Sequence, residues 1–248
     1  MRREFGERGF VVVPGVLSAD AIAAGMAVID EWVRQAPPPD GHRGHHFYWP
    51  RLTPDHPLSR LLVDSGALAV AEELISPGRL VLPSQAQISL NLPPYGHRPG
   101  RGHIDGVTPP EPDGRPGTFT MLAGVFLTDQ EADDMGNLWV WPGTHHAQAR
   151  YFRERGPDAL IASKAYPEIE HRAPEQVRGR AGSLLLAHYM LSHNIGGNTS
   201  RQVRRVVYYR LQRKGHRDRW RECIQDALLE FDAVRDAMTA GREEQHEA

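Results

Sequence analysis

The sequence predicts a mainly β fold, an antiparallel double-sheet barrel braced by helices. Three features predict this fold: helical periodicity occupies the N-terminal part, short punctuated apolar runs fill the middle, and helical periodicity returns at the end. The chain has 248 residues, of which 40% are hydrophobic, so it is long enough for one sizeable core. We therefore expect a single domain over residues 1–248.

The helices are predicted from caps, breakers and apolar spacing. Ser18 can cap the first helix, and three prolines at positions 37–39 stop it. A second helical stretch runs from Leu58 to Ile75 and ends before a Pro-Gly pair. A closing helix over about residues 217–240 has helical spacing and should pack on the outside of a sheet.

Short runs of β-branched, aromatic and other apolar residues follow the second helical stretch. These runs are predicted to be strands: Arg79 to Leu82, Gln85 to Leu92, Phe119 to Leu127, Leu138 to Trp141, Gly182 to Leu186 and Val203 to Leu211. Between Ala36 and His56, a segment rich in proline, glycine and histidine is too irregular for either a helix or a strand. Its central residues are Phe47, Tyr48 and Trp49, so we interpret it as a lid or binding loop.

Composition and charge argue against several classes of protein. The formal net charge is −2 and no basic block is present, so a nucleic-acid partner is not expected. Cys223 is the single cysteine, which allows no intramolecular disulfide and does not indicate an oxidising compartment. No stretch approaches the length of about eighteen uninterrupted apolar residues that a membrane helix needs. We expect a cytoplasmic protein, monomeric or homodimeric, that does not enter a membrane.

One pair of residues has the spacing of two metal ligands. His103 and Asp105 lie two apart, and residues two apart in an extended segment share a face. Such a pair is weak on its own, because thirteen histidines and 31 acidic residues produce one or two His-x-acid pairs by chance. A second pair does occur, at His216 and Asp218, but arginines and a lysine surround it, so we interpret it as solvated surface.

A site made of two histidines and one carboxylate requires a third ligand from elsewhere in the chain. His193 fits this role because it ends a buried apolar run and stands just before a turn. Arg204 follows eleven residues later and opens the next predicted strand. His188, five residues before His193, is the alternative third ligand.

Taken in order, these residues resemble the phytanoyl-CoA dioxygenase family, whose pattern is an H-x-D pair, a P-G-[ST]-H turn and a distal histidine followed by an arginine. The turn is matched by residues 142–145, and the distal block by His193 and Arg204. The resemblance covers about residues 6–211, which we take as the core of the domain. It implies a double-stranded β-helix, that is a jelly-roll or cupin-like core, together with Fe(II) and the cosubstrate 2-oxoglutarate.

The resemblance also implies roles for individual residues. Arg204 would bind the distal carboxylate of 2-oxoglutarate, and the iron ligands would be His103, Asp105 and His193. Gln87 and Asn91 match a Gln-x-x-x-Asn pattern that relatives use near cosubstrate and substrate, although two polar residues on a strand can equally form an interior hydrogen bond. Thr120 could donate a hydroxyl to the cosubstrate, or could be present simply because threonine favours strands.

The expected function is that of a 2-oxoglutarate-dependent non-haem iron dioxygenase, which consumes O2 and releases succinate and CO2. We expect it to hydroxylate a small metabolite or natural-product intermediate. The family's halogenating relatives lack the carboxylate ligand, so Asp105 favours hydroxylation, desaturation, epimerisation or ring closure. Two other functions remain open: a cupin-like metal isomerase or hydrolase, which would not need Arg204, and a catalytically silent binding module, which would be expected to lose a ligand.

Overall fold

The computed structural model describes residues 1–107 and 110–246, and it shows a mostly antiparallel β structure with bracing helices. The strands form a seven-stranded and a three-stranded sheet. With strands numbered in chain order, the large sheet has the order β1 (Phe10–Val13), β8 (Leu184–His188), β5 (Met121–Phe126), β10 (Arg204–Arg213), β4 (Gln87–Leu92) and β2 (Gly44–Tyr48), and β3 (Leu80–Val81) also pairs with β10. The small sheet has the order β7 (Glu175–Gln176), β6 (Leu138–Val140) and β9 (His193–Ile195).

Helices cover the N-terminal part of the chain, the connection after β6 and the C-terminal end. They are α1 (Arg2–Arg8), α2 (Ala19–Gln35), α3 (Pro57–Asp64), α4 (Ala67–Ile75), α5 (Thr144–Arg155), α6 (Ala159–Ala162), α7 (His216–Cys223) and α8 (Asp232–His246). Within the described part of the chain, no helix combines the length and the apolar character needed to cross a membrane.

The large sheet has an apolar core on each of its faces. Strand β10 shows how this arises, since alternate residues of a strand point to opposite sides. Val207 and Tyr209 belong to the core that packs against the helices, whereas Val206 and Tyr208 belong to the core shared with the small sheet. We call this second region the inter-sheet core. The residues expected to carry the chemistry lie around it.

The predicted helices are present but differ in their extent. Ser18 accepts a hydrogen bond from the backbone of Ala21 and caps α2, as predicted. The stretch from Leu58 to Ile75 is two helices rather than one, because Gly66 adopts a φ of 83° between α3 and α4. The predicted closing helix is likewise divided into α7 and α8.

The interpretation of residues 36–56 as entirely irregular is wrong. Gly44–Tyr48 forms β2, an edge strand that pairs antiparallel with β4. His45 and Phe47 lie opposite Asn91 and Ser89 on the side of the inter-sheet core, whereas Tyr48 is buried against the helices. The helix α5, which begins at Thr144 within the P-G-T-H segment, was also not predicted.

Candidate active site

The two predicted histidine ligands are brought together by the backbone. His103 lies after the turn that follows β4, and His193 begins β9. The two residues form an antiparallel bridge in which each backbone N–H donates to the other's carbonyl at 3.0 Å. Positions ninety residues apart in the sequence therefore present neighbouring imidazoles, with ring centres 4.7 Å apart.

Asp105 completes a three-ligand arrangement. Its Oδ1 lies 3.5 Å from Nε2 of His103 and 3.7 Å from Nε2 of His193. One ligand atom from each of the three residues lies within 4.8 Å of the other two, as a shared metal ion would require. The alternative ligand His188 does not reach this position, because its Nε2 donates to Ala227 and its Nδ1 accepts from the backbone of Met190.

The hydrogen bond to His193 selects the tautomer that a metal needs. Its Nδ1 lies 3.0 Å from the carbonyl oxygen of Leu191. A carbonyl oxygen only accepts hydrogen bonds, so Nδ1 carries the proton and the lone pair of a neutral ring lies on Nε2. Nε2 is the atom that faces Asp105.

The electrostatics of the site favour an ionised Asp105. Burial would raise the pKa of this carboxyl, but the neighbouring imidazoles of His103 and His193 and the positive charge of Arg210 hold the pKa well below its usual range. Burial lowers the pKa of His103. Burial also opposes protonation of His193, but the adjacent carboxylate of Asp105 outweighs it and raises the pKa of His193.

Arg210 is a residue of the site that the sequence analysis missed. Its Nε and Nη2 donate to Oδ2 of Asp105 at 3.2 and 2.9 Å. The signal was present in the alternation of β10, where positions 204, 206, 208 and 210 share a face. A charged residue on the inner face of a buried strand needs a partner there.

Arg204 enters the inter-sheet core, while Arg205 faces the other side and pairs with Asp30 of α2 at 2.7 Å. The Arg204 side chain is 2% exposed, so its charge is almost wholly removed from water. Its guanidinium donates to three neutral groups, Gln130 Oε1, Ser89 Oγ and the hydroxyl of Tyr208. Among the residues whose side chains are described, 1–107 and 110–241, no carboxylate lies within 4.0 Å of it. Arg204 is thus a buried cation without a counter-charge, a costly state that an anionic ligand would relieve.

Gln87 and Asn91 share the inner face of β4, opposite Tyr208 and Arg204 respectively. Asn91 is fully buried and donates to the carbonyl of Gly196 at 2.9 Å, but its Oδ1 has no partner among the described residues. The interior hydrogen bond considered for this residue is therefore present, and a buried acceptor remains free beside Arg204.

The structure does not place Thr120 near the predicted ligands of the cosubstrate. Its hydroxyl donates to Glu230 and accepts from the backbone of Arg213, on the side of the C-terminal segment. The interpretation of His216 as solvated surface is also wrong, since this residue is 2% exposed. In both cases the partner comes from the region between α7 and α8, which the sequence analysis treated as one continuous helix.

A second group of metal-binding residue types lies in this C-terminal region. His216, Cys223 and Glu230 are buried, and one ligand atom of each lies within 4.8 Å of the others. However, both ring nitrogens of His216 are engaged, Nδ1 with Glu230 at 2.7 Å and Nε2 with Thr118 at 2.9 Å. Burial raises the pKa of the Cys223 thiol to about 12, which disfavours the thiolate that metals bind. We therefore interpret this group as a hydrogen-bonded structural cluster, and refer to it as the C-terminal cluster.

Comparison with known proteins supports the resemblance seen in the sequence. Residues 93–206 match the sequence model of the phytanoyl-CoA dioxygenase (PhyH) family. The matched range contains His103, Asp105, His193 and Arg204. No curated protein is a significant match to the chain.

Several solved structures share the fold. HygX from Streptomyces hygroscopicus, solved with nickel and 2-oxoglutarate bound, is 18% identical with a TM-score of 0.55 over 82% of each chain. SnoK, a non-haem α-ketoglutarate-dependent carbocyclase from nogalamycin biosynthesis, is 21% identical with a TM-score of 0.58 over 84% of this chain and 80% of SnoK. SnoN, an epimerase from the same biosynthesis, is 19% identical with a TM-score of 0.59 over 84% of this chain and 79% of SnoN. The match to the phytanoyl-CoA dioxygenase (PhyH) family model over residues 93–206 thus contains the predicted metal-ligand motif, and the fold around it is similar to that of these non-haem, α-ketoglutarate-dependent enzymes.

Proposed function

We propose that this protein is an Fe(II)- and 2-oxoglutarate-dependent dioxygenase with a jelly-roll core, in which His103, Asp105 and His193 hold the iron. The observation that carries this proposal is the convergence of these three ligand atoms within 4.8 Å, beside an inter-sheet core that buries an arginine without a counter-charge.

The residues present fit a ferrous ion. Two neutral imidazoles and one carboxylate are the donor set of non-haem iron oxygenases that leave positions open for cosubstrate and O2. The proton on Nδ1 of His193 leaves Nε2 free to bind a metal, and the depressed pKa of Asp105 keeps its carboxylate ionised. Bound Fe(II) would supply the activation of O2, coupled to decarboxylation of 2-oxoglutarate to succinate and CO2.

Arg204 suits the role of cosubstrate partner. A guanidinium presents two parallel donors to a carboxylate, and a carboxylate brought into the inter-sheet core would neutralise the buried charge. Ser89 and Tyr208 already hold the guanidinium in place. Arg204 would therefore orient 2-oxoglutarate by its distal carboxylate, and the free Oδ1 of Asn91 could accept a hydrogen bond beside it.

We propose hydroxylation of a small natural-product intermediate as the reaction. HygX has been solved with hygromycin B, and SnoN with Fe3+, α-ketoglutarate and nogalamycin RO. SnoK and SnoN are a carbocyclase and an epimerase, so ring closure and epimerisation are the competing outcomes. The product distinguishes them by mass: hydroxylation adds one oxygen atom, ring closure removes two hydrogen atoms, and epimerisation changes nothing.

The proposed activity is tested by measuring succinate formation from 2-oxoglutarate in the presence of O2. Wild-type protein should release succinate only when Fe(II) is supplied, and His193→Ala should release none above background. Arg205→Ala is the matched control, because it removes an arginine from the same strand on the opposite face. Succinate release that is independent of iron, or equal in His193→Ala, would contradict the proposal.

A further inference from the structure

We propose that Arg210 is a positioning residue that reserves one oxygen of Asp105, so that a bound metal receives only the other oxygen. This inference rests on the proposed function, because it concerns how the metal site keeps room for a cosubstrate.

The two carboxylate oxygens of Asp105 face different partners. Oδ1 points at both histidines, 3.5 Å from Nε2 of His103 and 3.7 Å from Nε2 of His193. Oδ2 points away from them and accepts from both Nε and Nη2 of Arg210. Two donors on a single oxygen fix the rotation of the carboxylate about its Cβ–Cγ bond.

The position of Arg210 is itself determined by its surroundings. Its guanidinium lies 5.2 Å from the ring centre of Trp49 and 5.8 Å from that of Phe119, within the range of cation–π attraction. The other end of Asp105 is held as well, since the hydroxyl of Tyr189 donates to its main-chain oxygen at 3.0 Å. Asp105 is thus held at two points, its carboxylate by a side chain on β10 and its main chain by a residue that follows β8.

The restraint has a chemical consequence for the metal site. A carboxylate with two free oxygens can bind a metal through both of them and so occupy two of the metal's coordination positions. An Asp105 with Oδ2 committed to Arg210 can offer only Oδ1. The cosubstrate needs the coordination positions of the metal that the protein leaves open. Loss of Arg210 should therefore weaken the binding of the cosubstrate more than the binding of the metal itself.

The experiment compares Arg210→Met with wild type, using Co(II) as a spectroscopic substitute for iron. Methionine keeps much of the packing against Trp49 but donates no hydrogen bond. We expect Arg210→Met still to bind Co(II), with a changed intensity of its visible absorption because the number of donor atoms differs. We also expect calorimetric titration of 2-oxoglutarate into the Co(II)-loaded protein to show about 10- to 100-fold weaker binding, as large as the effect on metal affinity or activity of losing a residue that hydrogen-bonds a metal ligand. Arg205→Met, on the opposite face of the same strand, should match wild type in both measurements.

Unchanged absorption and unchanged 2-oxoglutarate affinity in Arg210→Met would overturn the proposal. If the methionine variant does not fold, Arg210→Gln provides the same test, because its shorter side chain cannot reach Asp105. The proposed function and the role of Arg210 are tested separately. Wild-type protein that binds Co(II) but not 2-oxoglutarate would contradict the proposed function. The absorption spectra of wild type and Arg210→Met would still decide whether Arg210 sets the donor number.

Discussion

Arg204 shows most clearly how a single residue links sequence, energetics and function. Strand alternation is enough to predict that Arg204 and Arg205 face opposite sides, and they do. The sequence does not reveal that the partners of Arg204 in the described part of the chain are neutral, because Gln130 and Ser89 reach it from a loop and another strand. A buried charge without a counter-charge destabilises the ligand-free protein. Such a loss of stability is common at sites that bind a ligand.

The first prediction concerns the affinity for 2-oxoglutarate. Arg204→Ala should weaken its binding to the metal-loaded protein by about thirtyfold to a thousandfold, or roughly 2–4 kcal/mol, because it removes a charged partner in a desolvated position. Arg204→Lys should restore only part of the loss, since an ammonium lacks the two-pronged geometry. Calorimetry under argon compares the 2-oxoglutarate affinity of wild type with that of the two Arg204 variants, and Arg205→Ala is the control. Normal binding by Arg204→Ala would show that the cosubstrate carboxylate lies elsewhere.

The second prediction concerns the stability of the same position without ligands. Arg204→Met should leave the free energy of unfolding of the metal-free protein unchanged or raise it, because an apolar side chain replaces an uncompensated buried charge. Urea denaturation of the metal-free variant and wild type measures the difference. A loss of more than about 2 kcal/mol would mean that the three hydrogen bonds of Arg204 serve the fold rather than a ligand.

At the level of elements, caps and apolar patterns in the sequence were sufficient to predict helices and strands where these patterns were strong. The cap at Ser18 and the apolar runs of β4, β5, β8 and β10 were identified, with boundaries that differ by a few residues. Errors arose where a short element depends on its neighbours. The edge strand β2 is stabilised by pairing with β4, and its histidines and glycine gave no propensity signal of their own. The failure to predict the break between α7 and α8 hid the C-terminal cluster.

The third prediction concerns β2 and the residue that follows it. Trp49 is 41% exposed and lies over Arg210, which in turn holds Asp105, so this end of β2 adjoins the proposed metal site. We expect Trp49→Ala to raise the Michaelis constant for substrate or to separate succinate release from product formation. Steady-state assays that measure both succinate and the product formed from the substrate test this prediction. Kinetics equal to wild type in both respects would exclude a role for this segment in covering the substrate.

The fourth prediction concerns the C-terminal cluster. Glu230→Ala should destabilise the protein by about 3–5 kcal/mol, because it leaves buried His216 without its partner and removes the acceptor of Thr120. Asp158→Ala is the control, since that carboxylate is 82% exposed in its ion pair with Arg221 and its loss should not be measurable. Urea denaturation gives the stabilities. A metal content that falls in Glu230→Ala at unchanged stability would instead identify the cluster as a metal site.

At the level of the whole molecule, the site depends on how the two sheets meet. The three proposed ligand residues could be selected from the sequence because their order and spacing resemble a known family pattern, although ninety residues separate His103 from His193. The sequence could not show that the hydroxyl of Thr120 donates to Glu230, because strand preference says nothing about which side chain lies opposite. The alternation of β10 places Arg210 on the inner face of the strand, but only the structure shows that its partner there is Asp105.

The central claim is that His103, Asp105 and His193 form one metal site at which 2-oxoglutarate also binds. Its most direct test is an anaerobic titration of Fe(II) into the protein in the presence of 2-oxoglutarate, followed by visible absorption. The claim predicts a weak charge-transfer band that saturates at about one iron per chain and is lost in His103→Ala and His193→Ala. A band that persists in His193→Ala but disappears in His188→Ala, or no band in the wild-type protein, would contradict it.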